Sequence, residues 1–257
     1  MREYHFRRES PIMHKILSIF LVSVFFALPV TSHANVLEHD TSDPLYLLNS
    51  EELLSQTYLS YWNNMLRIGQ GFSYGMNERL SIGANVHYQH HFNGDQDGFS
   101  AIDLGATYRM TRANDTESRV ISDLLFGFKF GGSSHARTPY YADSTYYAGL
   151  RFGRQWAGMT LAATIKSSWV FDDERGMSFI DFIPEAYFRI APDWRIGAGF
   201  TIRKATNRDP ITGDDYDQEW LNTKLVRQFG RTQYIGHIDY EFESDEIQFG
   251  GKLNIVF

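Results

Sequence analysis

The chain has 257 residues and no cysteine. That absence excludes a disulfide framework, thiolate metal sites and thiol catalysis. Long hydrophobic runs are also scarce. After Val30 no apolar stretch reaches the about 20 residues that a membrane-spanning helix needs. Positive charge is in deficit as well. Residues 1–34 hold four basic and two acidic side chains, which leaves 20 basic against 29 acidic in the remaining 223 residues. A chain of that balance has no basic stripe with which to hold nucleic acid.

What is present begins with an address. Lys15 precedes an apolar run, Ile16 to Val30, followed by Thr31-Ser32-His33-Ala34. A basic flank, a short apolar core and small residues before a break describe a cleavable signal peptide, with the cut expected after Ala34. Met13 opens a more compact signal by itself, so translation from Met1 or from Met13 is compatible with the pattern. The expected organisation is a signal peptide over 1–34, a polar periplasmic segment over 35–50, and a transmembrane β-barrel over 51–257. A secreted membrane protein without apolar helices must be a closed barrel, because only closure satisfies every backbone group in lipid.

The last twelve residues carry the pattern plainly. Ile247, Phe249, Gly251, Leu253, Ile255 and Phe257 share one face, and Glu246, Gln248, Gly250, Lys252, Asn254 and Val256 the other. A period of two means a strand whose faces meet different surroundings. The pattern recurs at Leu80 to Gln89, at Ile102 to Met110 and at Trp194 to Arg203. In these strands the apolar face carries no charge, whereas the other carries charge and glycine. Apolar outside and polar inside is the arrangement of transmembrane barrels.

The alternation predicts twelve antiparallel, up-and-down strands, at 51–62, 65–75, 80–92, 99–110, 119–130, 145–154, 159–171, 179–190, 194–203, 218–229, 233–242 and 247–257. Their lengths approximate the about 9–11 residues of a tilted spanning strand. Residues 51–62 would pass for a short helix, but an even strand number requires them as a strand. Residues 218–229 are blurred, because Leu221, Thr223, Leu225 and Arg227 share a face. Short connections at Met76–Arg79, Ala191–Asp193 and Gly230–Thr232 fit periplasmic turns. Longer polar ones at 93–98, 131–144, 172–178 and 204–217 fit outer loops. Tyr74, Tyr88, Tyr108, Trp156, Trp169, Trp194 and Trp220 sit near strand ends, as girdle aromatics do.

The terminal run FGGKLNIVF resembles the C-terminal signal by which barrel-insertion machinery recognises bacterial outer-membrane proteins, with Leu253, Ile255 and Phe257 at the matching positions. Residues 66–88, LRIGQGFSYGMNERLSIGANVHY, resemble a hairpin of small transporter-like outer-membrane proteins grouped with the barrels of aromatic-degradation pathways. The resemblance implies the bacterial outer membrane as location, with its lipid and the insertion machinery as partners. It brings no functional residues with it.

A barrel of about twelve strands is either filled or open, depending on what points inward. The inward side chains include Arg67, Asp103, Arg109, Asp123, Lys129, Arg151, Lys166, Asp181, Glu185, Arg189, Arg195, Arg203, Asp239 and Glu241. Gly69, Gly71, Gly83, Gly105, Gly127, Gly149, Gly197 and Gly199 share that face and are expected to leave room. A wet lumen with both signs of charge passes small polar solutes, so a porin-like passive channel is the leading expectation. A structural or adhesive barrel acting through its outer loops is the alternative, favoured if the charges pair and close the lumen. A rim hydrolase is a further alternative. His87, Gln89 and His91 climb one face toward Asp95 and Asp97, where a His–Asp pair can act as a base or hold a metal. No serine stands in a recognisable nucleophile motif, so no catalytic residue, metal or cofactor is assigned. Asp209, Asp214, Asp215 and Asp217 cluster in one loop without the spacing of a calcium-binding loop.

Overall fold

The computed structural model describes residues 39–92, 97–111, 120–130, 132, 144–171, 176–208 and 216–257. The expected signal peptide and its cleavage site fall outside them. Thirteen strand segments follow in order: β1 Leu53–Trp62, β2 Met65–Asn77, β3 Leu80–His91, β4 Gly98–Phe99, β5 Ile102–Arg109, β6 Ile121–Phe130, β7 Ser144–Trp156, β8 Met159–Phe171, β9 Met177–Ala191, β10 Trp194–Ala205, β11 Gln218–Phe229, β12 Thr232–Glu241 and β13 Glu246–Val256. Both β4 and β5 pair with β3, and together they form one spanning strand interrupted at Ser100 and Ala101. There the His87 N–H donates to Ser100 Oγ at 3.1 Å, and the Ser100 N–H donates to the His87 carbonyl at 2.8 Å. The twelve strands read from the alternation are all present.

Each strand pairs antiparallel with its neighbours in sequence, and β1 pairs with β13 from Leu54↔Val256 to Tyr61↔Phe249. The sheet therefore has no free edge, which is what a backbone in lipid requires. Within 51–62, Leu53–Trp62 is strand and not helix. In β11 the blurred phase resolves outward for Leu225, which is 44% exposed, and inward for Asn222 and Lys224.

Polarity is inverted relative to a soluble protein. Phe126, Ile196 and Phe249 are 47, 44 and 51% exposed on the outside, while Asp123 and Asp181 inside are 0 and 1% exposed. A soluble sheet would lose stability in that arrangement; a lipid-embedded barrel gains it. Tyr74, Tyr88, Tyr108, Trp156 and Trp169 are exposed on the outer surface near strand ends, and Trp194 stacks beneath the Arg227 guanidinium. Trp220 is the exception among the expected girdle residues. It lies opposite Glu241 on the luminal parity of Asn222 and Asp239, because two-residue alternation overrides the proximity of a polar loop.

Both ends of the barrel chain, Phe257 and the residues before Leu53, lie at the end that carries the turns Glu78–Arg79, Ala157–Gly158, Pro192–Asp193 and Gly230–Arg231. Three connections break the short-turn, long-loop rule, the short one at 242–245 on the loop end among them. The β1–β2 connection on the loop end is only Asn63-Asn64, with φ of 43° and 60°. Those positive values suit the tight hairpin turn that asparagine tolerates. The β5–β6 connection on the turn end is long, and 112–119 fall outside the described residues.

Candidate functional site

The luminal charges are organised by strand register. Arg109 lies opposite Asp123, and Asp123 opposite Arg151, on β5, β6 and β7. Arg109 Nε donates to Asp123 Oδ1 at 2.9 Å, and Arg151 Nη2 to Oδ2 at 2.6 Å. A second ladder crosses β8, β9 and β10. Lys166 Nζ stands 3.2 Å from Asp181 Oδ2, and Arg203 Nε donates to Asp181 Oδ1 at 2.7 Å. Each buried carboxylate thus has two cations directly across the sheet, which offsets the cost of removing it from water.

Other pairs are looser. Lys129 is 4.0 Å from Asp103, and Lys224 is 3.8 Å from Glu185. Asn222 donates to Asp239 at 3.2 Å, and Ser244 to Glu241 at 2.6 Å. Arg67 stacks over Trp62, 4.3 Å from the ring centroid. Arg189 and Arg195 end at the turns, donating to the Pro192 carbonyl at 3.2 and 3.0 Å. All fourteen inward candidates do lie on the luminal face. Lys224 and Lys252 belong with them. Lys252 shares the inward parity of Gly250 and Asn254 on β13.

The luminal glycines do not simply leave room. A Cβ at Gly69 would fall 1.9 Å from the Tyr58 ring, and one at Gly127 2.2 Å from the Tyr147 ring. Gly197 likewise seats the Lys224 side chain, and Gly250 seats His237. Large side chains lie flat on these seats, so the space a glycine vacates is filled by its neighbour. Open volume remains where the lining is small and polar. A cavity of about 260 Å³ is bounded by Gln56, Ser73, Ser81, Asn85, Asp103, Thr107 and Tyr147.

The N-terminal segment, read from sequence as a polar periplasmic lead, enters the barrel at its turn end. Residues 40–48 run inside the mouth without helix or strand. Gln233 Nε2 donates to Asp40 Oδ1 at 2.8 Å, and Thr41 Oγ1 donates to Gln233 Oε1 at 2.6 Å. Asn254 Nδ2 donates to Thr41 Oγ1 at 2.9 Å. The Ser42 and Tyr187 hydroxyls lie 2.6 Å apart, and each reaches Asp40 at 2.9 Å. Arg195 Nε is 3.4 Å from Asp40 Oδ2. Lys224 Nζ donates to the Ser42 carbonyl at 2.7 Å, Arg109 to the Leu45 carbonyl, and Thr160 to Asp43.

Leucines complete the seal. Leu45, 1% exposed, packs on Ile121 and Ala162, and Leu48 on Leu54 and Val256. Burying one leucine stabilises by about 1.5–3 kcal/mol. A gap beside the segment, lined by Asp43, Thr160, Tyr187 and Arg195, measures about 80 Å³. The missed signal was Leu45-Tyr46-Leu47-Leu48, an apolar cluster that a solvated lead has no reason to carry.

The root of the segment is fixed at Gly75. The Glu51 N–H donates to the Gly75 carbonyl at 2.8 Å, and the Gly75 N–H to the Glu52 carbonyl at 2.9 Å. A Cβ at Gly75 would meet the Asn49 carbonyl oxygen at 1.8 Å, so only glycine permits the approach. Burial tends to raise the Glu52 carboxyl. Donation from the Asn49 side chain and backbone and from Tyr46, with His39 nearby, outweighs it and leaves Glu52 below the usual range. Asp43 goes the other way. Its burial, aided by Asp40, outweighs the hydrogen bonds from Thr160 and Leu45 and raises its pKa.

His87, His90 and His91 form no shared site. His87 Nδ1 lies 2.8 Å from the Tyr58 hydroxyl, His91 Nε2 2.7 Å from Gln89 Nε2, and His90 Nδ1 2.7 Å from Asp97. Asp97 also accepts from the His91 N–H at 2.8 Å, so it ties the outer end of β3 and does not orient a luminal base. Asp95, Asp209, Asp214 and Asp215, with most of 131–144 and half of 204–217, fall outside the described residues. Asp217 is taken by Lys204 at 3.0 Å. Among the described residues no group of three His, Asp or Glu side chains is placed to hold a metal ion.

Comparison with family models and with curated proteins gives no match. Solved structures do match. The NanC porin superposes with a TM-score of 0.60 at 7% identity, covering 79% of this chain and 98% of that one. The fold shared with it is the closed, twelve-stranded antiparallel barrel. The KdgM porin in complex with disordered oligogalacturonate superposes at 0.57 and 10% identity, and a further KdgM porin structure at 0.55 and 11%. Both cover 79% of this chain and 99% of the porin. At such identity the likeness concerns the path of the backbone, and the luminal side chains must be read from this chain itself.

Proposed function

We propose that this protein is a bacterial outer-membrane channel for passive movement of small polar solutes, closed at its periplasmic mouth by its own residues 40–48. The observation that carries the reading is the contrast between the two parts of the lumen. Above the segment the walls are charged and hydroxylated, with an open cavity of about 260 Å³. At the mouth the lumen is filled by a peptide held through side-chain hydrogen bonds and two leucine contacts, with no strand pairing to the wall. A peptide held by side chains alone detaches without unfolding the barrel, because the ring of strand pairs does not include it. The KdgM structure with an oligogalacturonate supports solute passage as a use of this fold. Outer-membrane lipid and the barrel-insertion machinery are the partners this reading requires.

The test is single-channel recording in planar bilayers with the mature chain and with a variant lacking residues 35–48. Rare openings of the full chain and stepwise, long-lived conductance of the variant are expected. A heat-modifiable, correctly folded variant that stays silent overturns the channel reading. The paired ladders around Asp123 and Asp181 favour a second reading, a non-conducting structural barrel, and that silent result would support it.

A further inference from the structure

The outer wall contains a depression that nothing in the chain fills. Gly236 on β12 pairs directly with Gly251 on β13, and both face outward. In the same row Leu225 lies opposite Gly236 and Leu59 opposite Gly251. A Cβ at Gly236 would meet no atom within 4 Å, and one at Gly251 only the Ile235 carbonyl oxygen, at 3.6 Å. The luminal glycines behave oppositely, since Tyr58, Tyr147, Lys224 and His237 lie on theirs. The depression measures about 930 Å³ and reaches down to Trp194, Arg227 and Tyr234.

Arg227 is the second observation. It faces outward near the periplasmic end of β11, among girdle aromatics, where an arginine in lipid is costly unless it reaches an anion or water. Among the described residues no carboxylate lies within ion-pair distance of it. Its guanidinium instead stacks 4.4 Å from the Phe229 ring centroid and 5.1 Å from that of Trp194. Stacking holds the planar group in place through its faces and leaves its N–H edge free. A guanidinium edge at headgroup depth matches a phosphate, which it can engage by two parallel hydrogen bonds.

We propose that this face binds one phospholipid of the periplasmic leaflet, with its phosphate on Arg227 and an acyl chain over Gly236 and Gly251. The charge at the girdle and the unfilled apolar depression above it belong to one amphipathic ligand, and the two parts adjoin in the correct order along the membrane normal. The assignment needs only that the exterior lies in a bilayer. It is independent of whether the lumen conducts.

The test is native mass spectrometry of the mature chain released from nanodiscs of dioleoyl phosphatidylglycerol, with folding of every variant checked by heat-modifiability. The expected result is one retained lipid per chain. Arg227→Gln should reduce the retained fraction at least fivefold, and Arg231→Gln, in the adjoining turn, should not. Gly236→Leu should also reduce it, by filling the depression while leaving the cation. Dihexanoyl phosphatidylglycerol should be retained less than the long-chain lipid. Equal loss in the Arg227 and Arg231 variants would mean unspecific attraction and overturn the site, as would undiminished retention in Arg227→Gln. Equal retention of short and long chains would overturn the acyl seat. A two-chain mass lost in Gly236→Leu would give the depression to a second copy of this protein.

Discussion

Gln233 on β12 hydrogen-bonds Asp40 in the N-terminal segment at 2.8 Å, across 193 positions of sequence. The same glutamine accepts from Thr41 and donates to Gln228 at 3.1 Å, so one amide joins the segment to two strands of the wall. Gln233 is 1% exposed and has no solvent to replace these partners. Substituting Gln233→Leu removes one of the donors to Asp40 and the acceptor of the Thr41 hydroxyl. The segment should loosen, and open time in planar bilayers should rise several-fold. Barrel stability, read from heat-modifiability, should change little.

Leu45 tests the apolar half of the same seal. Leu45→Ala removes the contact with Ile121 and Ala162, at a cost of about 2–5 kcal/mol to the docked segment. Protease added from the periplasmic side should then cleave near residue 45 at least tenfold faster in the variant. Equal cleavage rates would mean that the segment is not held there.

The ladder Arg109–Asp123–Arg151 is a matter of barrel stability. Asp123 is fully buried, and removing it leaves two guanidinium groups facing each other. Asp123→Ala should destabilise by about 3–5 kcal/mol, the range seen when one partner of a buried ion pair is lost. Urea unfolding in detergent micelles measures this.

The docked segment should respond to pH through Asp43. Its pKa is raised above the ordinary 3.8 when docked, chiefly by burial, so docking favours the protonated carboxyl. That contribution is complete below the ordinary value and is lost as pH rises through the raised one. Glu52, lowered on balance, acts in the opposite sense. Its contribution is present above about 4.5 and is lost only as pH falls through its depressed value. Asp40, Tyr187, Arg189 and Arg195 surround the Asp43 gap and set its local charge. Opening should therefore increase as pH rises from about 4 toward neutrality. Asp43→Asn should flatten that dependence, as read from open probability against pH.

The C-terminus concerns delivery. The Phe257 N–H donates to the Leu53 carbonyl at 2.8 Å, and the side chain is 62% exposed outside. Deleting Phe257 should lower insertion into the outer membrane far more than Asp215→Ala does, measured as the heat-modifiable fraction in isolated membranes.

The strands and their facing were legible because alternation is local. Leu80, Ile82 and Ala84 against Ser81, Gly83 and Asn85 fix a face whatever the partner strand is. Cross-strand partners were not legible, since register depends on turn geometry, as at Asn63-Asn64 and at the shift between Gly75 and Asn77. The glycines were misread for a related reason. Whether Gly69 leaves a hole depends on Tyr58, which lies opposite it on β1. The N-terminal segment was hidden because it carries no periodicity. Only its leucines betray an interior position, and its hydrogen-bond partners come from strands far away in sequence.

A single cysteine tests directly whether residues 40–48 close the mouth, since the chain has none of its own. With Leu45→Cys, a bulky maleimide is added to the periplasmic chamber during single-channel recording. Modification should proceed only during openings and trap the channel in its conducting level, because a labelled segment cannot return to the mouth. Modification that leaves the current unchanged would contradict that closure.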